Sequence, residues 1–398
     1  MEQRVRMLSD YETGAFSVVQ LCRRYEVSRD TFYEWKARRA TGAADWFADR
    51  SHATLSCPHR TDAALAARVV EVRRRFVHFG PKKVLAWLRR EQPDVAWPAA
   101  STIGDILKAA GLVSVRPRRR RAVDQGLVVQ PARAANDEWC ADFKGWFLTG
   151  DGSRCDPLTI TDSHCRYLLA TQATQPTLDG VRQVFEATFR ACGLPAAIRC
   201  DNGTPFGSGG PAGLTRLSVW WLRLGVQPRF IPPGSPQDNG RHERFHRTLK
   251  AHTTQPPSHD LAGQQLQFDR FRQHYNHERP HQALDMDTPA SRWSPSARPM
   301  PERLSEPQYD DDHQIRRVRS AGDIKWRAEK LFIGEPFVGE LIGIAPFDDG
   351  LHMVRFCGVD LGVIDHQGRF RRFAPLRHKL RYAPEDLPHQ KVSTIRPV

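Results

Sequence analysis

Paired cysteines and long apolar segments are both missing from this sequence. The eight cysteines form no CxxC pair, so they suggest neither a disulfide framework nor a paired zinc module. They are dispersed, as reduced packing residues are, at positions 22, 57, 140, 155, 165, 192, 200 and 357. His52, Cys57 and His59 suggest a metal cluster, but no second ligand pair accompanies them. Without a signal peptide or a run that could span a bilayer, we expect no membrane partner and a cytoplasmic protein.

Acidic residues are scarce relative to basic ones. The 398 residues include 59 Lys and Arg but 45 Asp and Glu, so the formal net charge is +14. Residues 1–135 hold 25 of the cations and 14 of the acids, and 116–121 read RPRRRR. Such a balance suggests nucleic acid as a partner, although an unspecific basic surface would have the same charge. Within the basic run, three residues are predicted to lie along phosphates: Arg118, Arg119 and Arg120.

The segment VVQLCRRYEVSRDTFYEWKARR has the pattern of a helix-turn-helix unit. Apolar residues recur at helical spacing on both sides of a short turn, and Ser28 is a favourable N-cap for the second helix. In such a unit the second helix enters the major groove, so Arg29 would face base edges. Three further cations would lie nearer the phosphates: Lys36, Arg38 and Arg39. A small structural helical hairpin is the alternative.

A second helix-turn-helix pattern occurs in GPKKVLAWLRR and PAASTIGDILKAAGLV, where Ser101 is the predicted cap and Gly111 the predicted end of the second helix.

From 136 onward the pattern changes to alternating strands and helices, beginning with EWCADFKGWFL as one half-buried strand. This order predicts a mixed five-stranded α/β sheet. Short strand-like runs after a proline-rich stretch predict a small C-terminal β-barrel.

We therefore predict a multidomain α+β protein. Its predicted parts are a helix-turn-helix (1–50), a second helix-turn-helix (51–115), a basic linker (116–135), an α/β catalytic core (136–290), a second linker (291–320) and a small β-barrel (321–385).

Three acids fall where strand ends or helix starts would bring them together. Asp142 lies in the first strand of the core, Asp201 follows the fourth strand, and Glu243 lies on the helix after the fifth. Three hard oxygen donors suit Mg²⁺ or Mn²⁺. Two such ions, about 3.5–4 Å apart, can activate an attacking oxygen and stabilise a leaving one at phosphorus. The alternative for Glu243 is an ordinary surface pair with Arg247.

The helix that carries Glu243 is strongly basic and amphipathic. Arg247 and Lys250 follow Glu243 by four and seven positions, so all three share one face. Phe245 and Leu249 form an i,i+4 pair on another face and are predicted to pack inward. The sequence therefore predicts a metal ligand followed by phosphate-binding cations.

Four segments together resemble the integrase-core transposases of bacterial insertion sequences, which are DDE-superfamily relatives of retroviral integrases. They are FKGWF, IRCDNGTPF, IPPGSPQDNGRHERFHRTLK and YNHERPHQALDMDTPASRW. The resemblance implies a ribonuclease-H-like core in which Asp142, Asp201 and Glu243 are the first, second and third acids. Lys250 resembles the basic residue that follows the third acid, and Asp162 a position outside the triad.

The resemblance also implies a function. Such a transposase binds the ends of its mobile element, cuts a strand to leave a 3′-hydroxyl and joins it to target DNA, with two divalent ions and as a homo-oligomer in the bacterial cytoplasm. Two departures are the absence of the zinc module of retroviral integrases and the insertion FGSGGPAG between the last two acids. A catalytically inactive DNA-binding regulator, a general nuclease and a DNA-coating protein remain alternatives.

Overall fold

The computed structural model of the protein describes residues 2–49, 60–113, 132–231, 240–348 and 350–373, without the side chains of residues 2 and 240–243. The chain divides into two compact units, 1–62 and 63–398. Some predicted features lie outside the described residues: the cluster of His52, Cys57 and His59, the basic residues Arg118, Arg119 and Arg120, and the end of the predicted barrel. Nowhere in the described ranges is a helix both long and apolar enough to cross a membrane.

The first unit contains three helices, α1 (Glu2–Glu12), α2 (Val18–Arg24) and α3 (Arg29–Ala40). As predicted, Ser28 caps α3, because its side chain accepts a hydrogen bond from the Thr31 amide at 3.1 Å. Leu21 and Phe32 are fully buried between the helices. Four residues, 25–28, connect α2 to α3, so the helices occur where the sequence predicts them.

The second unit begins with α4 (Ala63–Arg75), α5 (Pro81–Glu91) and α6 (Ala100–Ala109), which enclose a small apolar core of their own. The sequence did not predict α4. The prediction that Ser101 caps α6 is wrong, because Ala99 occupies the N-cap with an extended backbone and Ser101 already lies inside the helix. The connection between α5 and α6, residues 92–99, is also longer than a helix-turn-helix turn.

The central region is a mixed five-stranded sheet, as predicted for a ribonuclease-H-like core. Its strands and helices, in chain order, are β1 (Glu138–Phe143), β2 (Phe147–Leu148), β3 (Arg154–Cys155), β4 (Pro157–Asp162), β5 (Leu168–Ala173), α7 (Leu178–Cys192), β6 (Ala197–Cys200), α8 (Arg216–Arg223), β7 (Gln227–Phe230), α9 (Gly240–Thr253) and α10 (Leu261–Gln273). The strand order is β5-β4-β1-β6-β7. Strand β1 pairs antiparallel with β4 and parallel with β6, so it lies at the centre.

Two features of this region differ from the sequence-based prediction. Residues 138–148 do not form one strand, because β1 ends at Phe143 and the chain turns at Gly145, whose φ of +86° lies in the region that favours glycine. The chain then forms the separate β2–β3 hairpin. Helix α10 was not predicted. It packs against β5, and its Phe268 and Phe271 are buried.

The C-terminal strands are β8 (Gln314–Arg317), β9 (Asp323–Trp326), β10 (Glu329–Phe332), β11 (Leu341–Pro346), β12 (His352–Phe356), β13 (Val359–Ile364) and β14 (Phe370–Arg372). Among the described residues, they form an open sheet, β14-β13-β12-β11-β8, and a separate β9–β10 hairpin. The expected single closed barrel is therefore not observed, because β9 and β10 pair with each other. Strand β8 falls within 291–320, the stretch predicted to be a linker.

Candidate active site

Asp142 and Asp201 lie at the same edge of the central sheet. The parallel pairing of β1 with β6 sets Glu138 beside Ala197 and Cys140 beside Arg199. Continued by two residues, this register brings Asp142 opposite Asp201, and adjacent strands are about 4.8 Å apart. Burial first, and then the charges of Asp201 and Asp142, raise the pKa of the Cys200 thiol, so both acids lie near it. Two of the three predicted acids are therefore neighbours.

The loop after β6 is held by the residues of the DNG motif. The side-chain amide of Asn202 donates to the Ile231 carbonyl at 2.6 Å, which ties this loop to the end of β7. The Gly203 amide donates to Asp201 Oδ1 at 3.1 Å. Partial burial of the Asp201 carboxyl group raises its pKa, and the Gly203 hydrogen bond opposes that rise. Glycine is required at 207, where a Cβ would meet the Asn202 carbonyl oxygen at 2.8 Å.

Helix α9 is anchored by its apolar face. Phe245 and Leu249 are buried, as predicted, against α10 and the residues that follow it. The Phe245 ring meets the Tyr275 ring edge-on at 5.3 Å. This packing fixes the rotation of α9 about its own axis. The backbone of Glu243 belongs to this helix, whereas its side chain lies outside the described residues.

A histidine that the sequence did not single out joins α9 to the sheet. Thr159 of β4 is fully buried and pairs with Asp142 across the β1–β4 ladder. Its hydroxyl donates to the Asp142 carbonyl at 3.1 Å and lies 2.9 Å from His246 Nε2. Since the hydroxyl proton goes to a carbonyl, Thr159 can accept the Nε2 proton of His246. The only indication of this contact in the sequence was that His246 follows Glu243 by three positions.

Two lysines lie close together beside this edge. Burial first, and then the nearby charge of Lys250, lower the pKa of Lys144. Lys250 is exposed on α9, and Lys144 is half-buried just after β1. Like charges held this close favour an anion near both of them. Lys144 was not among the predicted site residues, although it stands only two positions after Asp142.

Asp162 has a structural position. It is 1% exposed, and its carboxylate accepts hydrogen bonds from three backbone amides. Oδ2 accepts from Asn136 at 2.7 Å, and Oδ1 accepts from His164 and Cys165, each at 2.9 Å. The carboxylate therefore closes the turn between β4 and β5 and binds the segment before β1.

The predicted DNA-binding residues of α3 have different surroundings. Arg29 is exposed in the first turn of the helix. The other three make contacts within the first unit. Lys36 donates to the Tyr11 hydroxyl at 2.9 Å and lies over its ring, Arg38 pairs with Glu34, and Arg39 pairs with Glu12 at 2.7 Å. On the second unit, Arg247 is exposed and lines a cleft with Arg279.

This strand order is that of an integrase core with a ribonuclease-H-like fold. Family models described as "Integrase core domain" match residues 132–236 and 224–289. The chain is 31% identical over 168 residues to an uncharacterized protein of insertion element IS136 from Agrobacterium fabrum. The aligned segment covers 39% of this chain and 81% of that protein. The chain belongs to the integrase-core transposases of bacterial insertion elements.

Other proteins are similar to this chain over different lengths. An uncharacterized 31.7 kDa protein of insertion element IS407 from Burkholderia multivorans is 29% identical over 251 residues, which is 58% of this chain and 82% of that protein. A chain of the simian T-cell lymphotropic virus intasome in complex with PP2A regulatory subunit B56 gamma aligns with a TM-score of 0.35 and 14% identity, over 72% of this chain and 91% of its own. The magnesium complex of the HTLV-2 integrase catalytic core in its trimeric form aligns with a TM-score of 0.30 and 11% identity, over 40% of this chain and 98% of its own. Structural likenesses this weak carry no argument about chemistry.

Proposed function

We propose that the protein cuts and joins DNA strands at the ends of its mobile element, with Asp142, Asp201 and Glu243 as the catalytic acids. The observation that carries the proposal is the parallel pairing of β1 with β6, whose last pair, Cys140 with Arg199, lies two residues before Asp142 and Asp201. Position 243 lies three residues before His246, which contacts Thr159 beside Asp142. Because residues three apart share a helix face, this contact supports the proposal that position 243 faces the same edge.

Divalent cations of the Mg²⁺ or Mn²⁺ type fit this donor set. Carboxylate oxygens are the ligands such cations prefer, and a bound cation would offset the partial burial that raises the pKa of Asp201. When bound, two ions would activate the attacking oxygen and stabilise the leaving oxygen of an in-line displacement. The protein need not supply a covalent nucleophile. Burial raises the pKa of the Cys140 and Cys200 thiols beside the site, which keeps both protonated.

The other residues of the site would bind and orient the DNA. Lys144 and Lys250 present two positive charges beside the acids, suited to a phosphodiester on either side of the cut. The hydrogen bond between His246 and Thr159 would fix the distance of α9 from β1, and with it the position of Glu243. In this proposal the sheet supplies two carboxylates, and α9 supplies the third together with a phosphate-binding lysine.

The same proposal assigns recognition of the element ends to the N-terminal helices. The spacing of α2 and α3 and the exposure of Arg29 support a helix-turn-helix whose second helix reads the major groove. Helices α5 and α6 would form a second DNA-binding unit, although their longer connection departs from the usual turn. Since two ends must be held at once, we expect a homo-oligomer that also holds the target duplex.

The test of the catalytic proposal is replacement of each acid by its amide. We expect Glu243→Gln, Asp142→Asn and Asp201→Asn to bind terminal DNA but to lose Mg²⁺-dependent strand cleavage by several orders of magnitude. Because the three acids act as one site, double variants should be little worse than single ones. The assay is cleavage of end-labelled terminal DNA by the purified full-length protein. Asp179→Asn, at an exposed acid of α7, is the matched control.

Each outcome has a definite meaning. Cleavage by Glu243→Gln at the wild-type rate would remove Glu243 from the site and leave it as a surface partner of Arg247. Specific binding without cleavage by the wild-type protein, in Mg²⁺ and in Mn²⁺, would favour the catalytically inactive regulator.

Recognition is tested separately with Arg29→Ala in the full-length chain. A base-reading arginine should be worth about 1–3 kcal/mol, so affinity for the terminal repeat should fall while affinity for scrambled DNA stays the same. Competition binding at two salt concentrations measures both quantities. Equal losses on the two DNAs would instead make Arg29 a phosphate contact.

A further inference from the structure

A group of cations and histidines, most of them half-buried, lies between the start of α5, the end of α9 and the turn after α10. We call this group the basic seam. It contains His78, Lys83, His252, His274, Arg279 and His281. None of these residues was assigned a role by the reaction or by the sequence motifs.

Aromatic packing holds the seam together. The His274 ring stacks on Phe76 at 5.3 Å and lies 5.8 Å from Phe79, which follow α4. The His78 and His252 rings are 4.3 Å apart. These contacts fasten α4–α6 to the catalytic core through side chains that carry ionisable nitrogens.

Ionisable nitrogens are crowded in the seam, and this crowding together with burial disfavours their charged forms. Burial first, and then the charge of Arg279, lower the pKa of Lys83 to about 7. Burial and neighbouring positive groups lower the pKa of His252 and of His281 to about 3. An opposing charge comes from Glu278, whose Oε2 lies 3.0 Å from His274 Nδ1.

Four nitrogen atoms of the seam are shielded from solvent and have no hydrogen-bond partner within the described residues. They are His252 Nε2, His274 Nε2, His281 Nε2 and Arg279 Nη1. Buried polar atoms without a partner are uncommon in folded proteins, and a water or an ion is a usual reason for them. Arg279 Nη1 can only donate, so this nitrogen requires an acceptor, and the neighbouring Lys83 favours a negatively charged one.

A cleft connects the seam to solvent. It has a volume of about 350 Å³, and its lining includes Arg247 and Thr248 of α9 together with His78 and Arg279. Arg73 also lines it, but its guanidinium already donates to the carbonyls of Phe79 and Leu112, at 3.0 and 3.1 Å. Arg247 and Arg279 are therefore the arginines best placed to bind a ligand in this cleft.

We propose that the cleft binds a phosphate group, with Arg247 and Arg279 as direct ligands and Lys83 as a supporting charge behind Arg279. Phosphate oxygens only accept hydrogen bonds, as the unpaired Arg279 nitrogen requires, and arginine binds them with two parallel donors. The phosphate belongs either to a DNA backbone or to free inorganic phosphate. The DNA source rests on the proposed function, whereas the site itself does not.

The first measurement uses the full-length protein and inorganic phosphate alone. Thermal unfolding in sodium phosphate is compared with sodium chloride at equal ionic strength, and calorimetric titration gives the phosphate Kd. We expect phosphate to raise the Tm above that in chloride. Arg247→Met and Arg279→Met should each weaken phosphate binding about tenfold or more, since each removes a charge-assisted contact. Arg270→Met, at an exposed arginine of α10, should bind phosphate as the wild type does.

The second measurement separates the two sources. If DNA supplies the phosphate, Arg279→Met should lower affinity for duplex DNA and reduce the salt slope of binding by about one. If free phosphate is the ligand, DNA affinity stays unchanged while the phosphate effect on Tm is lost. The site is wrong if phosphate is no better than chloride, or if Arg247→Met, which is exposed and should fold, behaves like Arg270→Met. A phosphate effect in a protein that fails to cut DNA would keep the site and reject the proposed function.

Discussion

The hydroxyl of Thr159 offers the sharpest test of how the third acid is positioned. It contacts both β1 and α9, through the Asp142 carbonyl at 3.1 Å and His246 Nε2 at 2.9 Å. Thr159→Val keeps the shape of the side chain and removes these two contacts. The variant therefore changes the link between strand and helix while leaving the three acids in place.

The expected cost follows from what is left unpaired. Thr159 is fully buried, so the lost hydroxyl leaves a carbonyl and a ring nitrogen with one partner fewer away from solvent. Such a loss costs about 1–3 kcal/mol of unfolding free energy. If α9 then shifts by about 1 Å, catalysis should fall about 100-fold, because reacting groups tolerate little misplacement.

Thr171 is a matched control. It lies directly opposite Thr159 in the β4–β5 pairing and is 3% exposed, but its hydroxyl has no hydrogen-bond partner among the described residues. Thr171→Val therefore removes a buried hydroxyl from the same part of the sheet without breaking a bond. We expect its unfolding free energy to rise or to stay within about 0.5 kcal/mol, with cleavage unchanged.

The assays are urea unfolding, affinity for terminal DNA and Mg²⁺-dependent cleavage under single-turnover conditions. Thr159→Val should bind DNA like the wild type and cut it more slowly, while Thr159→Ser, which restores the hydroxyl, should recover most of the rate. Equal cleavage rates for Thr159→Val and Thr171→Val would refute the positioning role. A loss of stability alone would make the Thr159 contact purely structural.

Three further predictions concern stability and binding. Asp162→Ala should lower the unfolding free energy by about 3 kcal/mol or more in urea titrations, because three backbone amides lose their acceptor; a near-neutral effect would contradict the structural role. Lys250→Ala should weaken terminal DNA binding, and the loss should shrink as salt rises; unchanged affinity and cleavage rate would leave Lys250 as a solvated surface residue. Burial and Arg279 lower the pKa of Lys83 to about 7, below its unfolded value, so the cost of burying its charge is present at low pH and is relieved as pH rises. From about pH 7.5 to 9.5, wild-type stability should therefore rise relative to Lys83→Met, by at most about 1.4 kcal/mol per pH unit, whereas parallel pH profiles would show that Lys83 titrates normally.

Local patterns in the sequence predicted local structure well. Ser28 caps α3, and Phe245 and Leu249 are buried, because a cap and an i,i+4 apolar pair depend on residues within one or two turns. The errors at Ser101 and in residues 138–148 are also local. Ser101 is a good cap residue placed two positions after the N-cap, and the turn at Gly145 depends on a backbone angle that alternating polarity does not reveal.

The sequence did not specify which residues far apart in the chain come into contact. The order of the acids along the chain was visible, but their proximity depends on the parallel register of β1 and β6, which brings together residues 142 and 201. The contact between Thr159 and His246 spans 87 positions and depends on the packing of α9 against α10. Neither segment has a sequence pattern that predicts this contact, because a threonine in a strand and a histidine in a helix each occur commonly without such a partner.

The surroundings of α9 explain why one helix carries so many positive groups. Three of its described basic side chains have different surroundings: His246 contacts the sheet through Thr159, Lys250 lies near Lys144, and Arg247 lines the cleft of the basic seam. A basic helix on a free surface would expose these groups together, and their repulsion would be screened by salt. Here the helix is fixed by its apolar face, so each cation meets a different neighbour. Salt dependence should therefore differ among the three positions, with His246 the least sensitive because its contact is a hydrogen bond to a buried hydroxyl.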